Sequence, residues 1–115
     1  MLTRRSAPFV NGANSDGRSN GERLGVDPNL GSLLFNGTRY DGLWKSTNYG
    51  VDWSKVASFP VSTTTNSIGV VFVEFIKSSG ASGSATPVIW VGVSQGGINL
   101  YRSTDGGASW TGITN

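Results

Sequence analysis

Apolar residues in this 115-residue chain come in short bursts at strand spacing, separated by Gly, Ser, Thr and Asn. Residues 22–26 alternate around Leu24 and Val26, 32–36 concentrate Leu33, Leu34 and Phe35, and 43–46 and 53–56 complete a first set of four predicted strands. Asp27-Pro28-Asn29 makes the turn after the first of them, with Pro fixing φ. A Ser/Thr-rich stretch, 57–67, intervenes before a second set begins. There, 69–76 is β-branched and aromatic throughout (Val70-Val71-Phe72-Val73-Glu74-Phe75) and predicts a buried strand; 87–93, 98–102 and 110–113 follow. Residues 1–21 show no period, are rich in Asn, Ser and Gly, and read as a long loop behind a short outer strand near Phe9.

The two sets are copies. Ser46-Thr47-Asn48-Tyr49-Gly50-Val51-Asp52-Trp53 returns 57 residues later as Ser103-Thr104-Asp105-Gly106-Gly107-Ala108-Ser109-Trp110. Asn48 or Asp105 can accept hydrogen bonds from nearby backbone amides, and Gly supplies the positive φ of a tight reversal. Trp53 or Trp110 then opens the returning strand and covers the turn. Ser46, Asn48, Gly50 and Trp53, with Ser103, Asp105, Gly107 and Trp110, are therefore assigned a structural role. Phe35-Asn36-Gly37 parallels Trp90-Val91-Gly92 at an offset of 55. Four antiparallel strands per repeat is the signature of a propeller blade. The expected division is an incomplete preceding outer strand and loop over 1–21, a blade over 22–56, a connecting loop over 57–67 and a second blade over 68–115. Two blades cannot close a ring, so the chain reads as part of a larger propeller or a gene fragment, with Leu34, Phe72 and Trp90 exposed on its outer faces. A complete eight-stranded sandwich is the competing architecture; it explains the strands but not the paired motif.

Composition narrows the chemistry. The net charge is +2 and the nine basic residues are scattered, which argues against a nucleic-acid interface. There is neither Cys nor His, so the usual zinc sets and His-based triads are excluded, and no metal or cofactor is expected. No apolar run reaches the ~18 residues of a membrane span, and Pro8, Asn11 and Gly12 interrupt the basic N-terminus before a signal peptide's apolar region can form. With blade strands lettered A to D from the channel outward, the paired motif is a C–D turn. The D–A connections (11–21 and 57–67) and B–C loops (38–42 and 94–97) share the opposite face, where binding concentrates. Asp16, Arg18, Arg39, Tyr40, Asp41 and Gln95 fall on that face. Tyr40 can stack on a sugar ring while Arg39 and Asp41 hydrogen-bond its hydroxyls, which makes Arg18, Arg39, Tyr40, Asp41 and Gln95 the substrate-binding candidates. Asp27 and Asp52 read as solvated turn residues. Glu74, in mid-strand, either faces the channel, where burial would raise its pKa, or lies paired at an edge. Asp105 is the tempting general acid or base, but Asn48 in the other copy keeps the hydrogen bonds and loses the acidity.

The run Gly21-Glu22-Arg23-Leu24-Gly25-Val26-Asp27-Pro28-Asn29, then Gly42-Leu43-Trp44-Lys45-Ser46-Thr47, with the Tyr101 to Trp110 segment, resembles glycoside hydrolase family 74. These are xyloglucan-degrading endoglucanases and reducing-end-specific xyloglucan cellobiohydrolases, and the paired motif resembles their Asp-box (BNR) turns. The likeness extends from about Pro8 to the end. It implies an all-β fold of about two four-stranded antiparallel blades of a seven-bladed β-propeller, part of a secreted enzyme with two propellers and a cleft between them. It also implies inverting cleavage of a β-1,4-glucan backbone by two aspartates, which must stand about 6.5–9.5 Å apart to admit water. In that family one aspartate lies in a Thr-Asp-x-Gly-Gly segment upstream of the matched region and the other far downstream. Thr104-Asp105-Gly106-Gly107 lacks the spacer and aligns with an Asp box, so catalysis does not transfer to Asp105 and no catalytic residue is assigned. The stretch between Pro60 and Gly69 is shorter than the family's loop, which trims the cleft-facing surface. The expected partners are xyloglucan or a related β-glucan and the remaining blades, with no nucleic acid and no membrane. The alternative is a non-catalytic Asp-box propeller scaffold that binds proteins.

Overall fold

The computed structural model describes residues 23–65 and 68–114. They form two sheets: β1 (Leu24–Val26), β2 (Leu34–Gly37), β3 (Leu43–Ser46) and β4 (Ser54–Lys55), then β5 (Gly69–Phe75), β6 (Ile89–Ser94), β7 (Leu100–Ser103) and β8 (Thr111–Gly112). Each sheet is a four-stranded antiparallel meander whose strands pair in sequence order, the all-β two-blade architecture the repeat predicts. The strand before each Asp box is the third of its sheet and the strand after it the fourth, as a C–D turn requires.

Strand register divides each sheet into two faces, because alternate side chains point to opposite sides. In the first sheet, Leu24, Val26, Leu34, Asn36, Trp44 and Ser46 share one face, and Gly25, Phe35 and Lys45 the other. In the second, Val73, Phe75, Ile89, Val91, Tyr101 and Ser103 share a face, and Glu74, Trp90 and Arg102 the other. The Phe35 face of the first sheet packs on the Phe75 face of the second, with the two rings 5.8 Å apart. These are not equivalent faces of the two copies. Ser46 lies on the outer side of its sheet, whereas its counterpart Ser103 lies on the inner side. The sheets therefore stack in one orientation, like successive blades.

The approach is close. A Cβ on Gly37 would lie 2.5 Å from Val70 Cγ1 and 2.7 Å from the Val70 carbonyl oxygen, so no larger residue fits there. A register shift between Val70 and Phe72 inserts a bulge into β5, and it lets residues three apart, Val70 and Val73, both face the first sheet. Phe35, Val70, Ile89 and Val91 are completely buried. Each contributes about 1.5–3 kcal/mol of burial free energy. Phe59 and Val61, from the inter-sheet connection, close the core, with Phe59 edge-on to Tyr101 at 5.2 Å and to Trp110 at 5.1 Å.

Two expectations need correction. Leu34, Phe72 and Trp90 are half-buried, because Phe72 folds over Gly92 in its own sheet and the Arg102 guanidinium lies 5.5 Å above the Trp90 ring. The residues left open on the first sheet's outer face are instead Leu24 and Val26. Asp27 is not solvated: it is 2% exposed and joins the two blades. One carboxylate oxygen accepts the Asn29 amide at 2.8 Å and the Thr86 hydroxyl, while the other accepts the Thr86 amide at 2.8 Å. Asn29 adds bonds from its side-chain amide to Thr86 Oγ1 (2.9 Å) and the Lys77 carbonyl (3.0 Å). A buried carboxylate is tolerated where donors surround it in this way.

Candidate functional site

Two sets of functional-looking residues emerge, on different loops. The first is the pair of Asp-box turns. In the second turn, Ser103 Oγ accepts the Gly107 amide (2.7 Å) and the Asp105 amide (3.3 Å) and donates to Asp105 Oδ1 (2.8 Å). Asp105 Oδ1 also accepts the Ser109 amide at 2.9 Å, and Oδ2 accepts the Ser109 hydroxyl. These donors, led by the Ser109 hydroxyl, hold the Asp105 carboxyl down at about 2 although the residue is exposed. A group kept anionic and committed to its own turn is a poor proton donor at neutral pH. The first turn repeats the scheme. Ser46 Oγ accepts the Gly50 amide (2.8 Å) and the Asn48 amide (3.3 Å), and donates to Asn48 Oδ1 (2.9 Å), which also accepts the Asp52 amide (2.9 Å).

The second set surrounds the β2–β3 loop. Thr38 builds that loop: its hydroxyl donates to the Gly42 carbonyl (2.7 Å) and accepts the Asp41 amide (2.9 Å). Thr64, from the inter-sheet connection, fastens it by donating its hydroxyl to the Arg39 carbonyl (2.6 Å) and its amide to the Tyr40 carbonyl (3.2 Å). The Arg39 guanidinium is tucked beneath the Tyr40 ring at 5.4 Å, and Tyr40 itself is 49% exposed. Arg23 donates to the Val70 carbonyl at 2.6 Å. Burial, reinforced by the nearby Arg39, lowers the Arg23 pKa from its ordinary value. Thr63, Thr64 and Thr65 then meet Gln95 and Gly96 of the β6–β7 loop around an open pocket of about 290 Å³.

Of the five candidates, Arg39, Tyr40 and Gln95 are thus linked through residues 63–65. Gln95 points its amide nitrogen at the Ile98 carbonyl (2.6 Å), which shapes its own loop. Asp41 turns the other way and pairs with Lys55 of β4 at 2.9 Å. Arg18 and Asp16 lie outside the described residues. Glu74 is exposed opposite Trp90, on the outer face of the second sheet. Thr63, Thr64 and Thr65 were not singled out from the sequence, and their run of three hydroxyls was the only signal. Among the described residues no group of acidic side chains could hold a metal ion. Around Tyr40 the chemistry on offer is an aromatic face, hydroxyls and a carboxamide. Such a surface suits stacking and hydrogen bonding to an uncharged, hydroxyl-rich ligand.

No family model matches the chain. Whole relatives do. It is 49% identical to the xyloglucanase Xgh74A of Acetivibrio thermocellus over 117 aligned positions, which take in 92% of this chain and 14% of that protein. It is 42% identical to a probable oligoxyloglucan-reducing end-specific xyloglucanase of Neosartorya fischeri, across 97% of this chain and 13% of that one. Crystal structures of the family 74 xyloglucanase of Xanthomonas campestris and the family 74 enzyme of Niastella koreensis superpose with TM-scores of 0.78 and 0.76, at 43% and 52% identity. They cover 86% and 85% of this chain and 16% and 14% of those chains. The chain belongs to glycoside hydrolase family 74.

This family 74 chain spans about 11–16% of the length of its bacterial relatives. The likeness holds in three dimensions over the paired blades, so it does not rest on the Asp boxes alone.

Proposed function

We propose that this chain is a two-blade, non-catalytic part of a secreted xyloglucan-cleaving family 74 hydrolase, with blades over 22–56 and 68–115, and that its loop face forms part of the glycan cleft. The relatives' names supply xyloglucan as the glycan. The observation that carries the reading is the half-exposed Tyr40 ring, held over Arg39 on a loop that Thr64 fastens beside a pocket lined by threonine and Gln95. An aromatic platform beside hydroxyls and an amide is how a protein grips a sugar without reacting with it. The reacting carboxylates lie elsewhere in the parent enzyme, and its remaining blades are this chain's structural partners.

Affinity electrophoresis through a gel containing xyloglucan tests the reading. The folded chain is expected to be retarded, and Tyr40→Ala to remove most of that retardation, whereas Asp105→Asn leaves it unchanged. Unretarded migration of the folded wild type would favour a protein-binding scaffold instead.

A further inference from the structure

The connection between the sheets is tied down at its start, on the Asp-box side. The Ser58 hydroxyl donates to the Gly107 carbonyl at 2.7 Å and accepts the Trp110 indole N–H at 3.2 Å. The first Asp-box turn shows what this replaces: there the Trp53 indole donates straight to the Gly50 carbonyl at 2.9 Å. Ser58 is thus inserted into the Trp–Gly bond of the second turn. Phe59 and Val61 follow it into the core, so the path of the connection is fixed before it reaches the opposite face.

There it meets the loop that carries Tyr40. Thr64 takes two consecutive carbonyls of that loop, Arg39 through its hydroxyl (2.6 Å) and Tyr40 through its amide (3.2 Å). The three threonines divide by side: Thr63 and Thr65 are exposed at the pocket, whereas Thr64 is buried. Backbone crowding leaves the loop little room to shift. A Cβ at Gly42 would stand 3.0 Å from the Val61 and Ser62 carbonyl oxygens, and one at Gly69 would overlap those of Thr38 and Arg39. The Val70 amide also donates to the Thr38 carbonyl at 2.9 Å. The Tyr40 ring itself is half-exposed above Arg39, so its position is set by the backbone that carries it.

We propose that Thr64 is a positioning residue for glycan binding: its grip on the Arg39 and Tyr40 carbonyls holds the Tyr40 ring in place for stacking before a sugar arrives. This rests on the reading of Tyr40 as the platform. A loop fixed in advance avoids the ordering cost that a mobile loop meets on binding. With its hydroxyl committed to Arg39, Thr64 acts through Tyr40, and contact with the sugar falls to the ring and to the exposed Thr63 and Thr65.

Titrating folded variants of the 115-residue chain with a xyloglucan oligosaccharide, read by amide chemical shifts, tests this. Thr64→Val keeps the shape and the backbone amide but removes the hydroxyl. It should weaken binding at least about fivefold and speed hydrogen exchange at the amides of residues 39–42. Thr64→Ser, which keeps the hydroxyl, should restore most of both. Gly42→Ala crowds the same contact from the loop side and should weaken binding likewise. In a Tyr40→Ala background, Thr64→Val should have no further effect on affinity. Wild-type affinity in Thr64→Val and Gly42→Ala, alongside a loss in Tyr40→Ala, would overturn the positioning role and leave the Tyr40 platform standing. A further loss on adding Thr64→Val to Tyr40→Ala would also overturn it, because Thr64 would then touch the sugar itself. Undiminished binding in Tyr40→Ala would remove the platform, and the positioning role with it.

Discussion

The two Asp-box turns have the same skeleton and differ at four positions; two of the differences, the coupled change at 48 and 52 against 105 and 109 and the exchange of Tyr49 for Gly106, have a local cause. Ser46 and Ser103, both 1% exposed, play identical parts. The acceptor between them changes from Asn48 to Asp105 because the residue four places on changes from Asp52 to Ser109. Asn48 donates its amide to Asp52 Oδ2 at 2.9 Å, whereas Asp105 Oδ2 accepts the Ser109 hydroxyl. A carboxylate facing Asp52 would repel it, and facing Ser109 it gains a donor. The choice of Asn or Asp thus follows hydrogen-bond complementarity, with no requirement for an acid. The second difference lies in the backbone. Gly106 takes φ +73° without strain, whereas Tyr49 stands in the same left-handed region at φ 65° with its ring 76% exposed.

The largest effect is expected where the turns agree. Ser103→Ala strips the Gly107 amide of its acceptor and Asp105 of a donor at a buried site, and should cost about 2 kcal/mol in a denaturant titration, with Ser46→Ala costing the same. A cost in only one blade would show that the turns are not energetically equivalent. Next come the backbone exchanges. Tyr49→Gly should stabilise the chain by about 1 kcal/mol and Gly106→Tyr destabilise it by at least that much, both measured as midpoint shifts. The smallest effect concerns the acceptors. Asn48→Asp should lose up to about 1 kcal/mol through repulsion from Asp52, and adding Asp52→Ser should recover it in a double-mutant cycle. Acid sharpens the same contrast. With its folded pKa depressed to about 2, Asp105 contributes stability that is fully present above its ordinary value of 3.8 and is lost as pH falls towards about 2. Asp105→Asn should flatten that part of the acid limb, whereas Asn48→Gln should not.

Much of this was legible in the chain itself. Both sets of strands followed from apolar spacing, and the repeated Ser-Thr-Asp/Asn-x-Gly-x-x-Trp turn placed strands three and four of each sheet. Long-range pairing was not legible. The Asp27-Pro28-Asn29 turn was plain, but its real partner Thr86 lies 59 residues away, and only the fold brings a buried donor pair to that carboxylate. Nor does anything local announce that Asp41 pairs with Lys55, or that residues 63–65 line a pocket with Gln95. The β5 bulge hides in a run where every residue from 70 to 73 is apolar, so alternation cannot reveal it. Leu34, Phe72 and Trp90 looked like exposed face residues because spacing gives the face but not the neighbours that fold over it.

The proposed division of labour between the Asp-box turns and the opposite loops is tested most directly by an amide chemical-shift titration of the 115-residue chain with a xyloglucan oligosaccharide. Saturable shifts at residues 39–42, 63–65 and 94–97, with residues 46–53 and 103–110 unmoved, are predicted. Shifts confined to the Asp-box turns, with the Tyr40 loop silent, would contradict it.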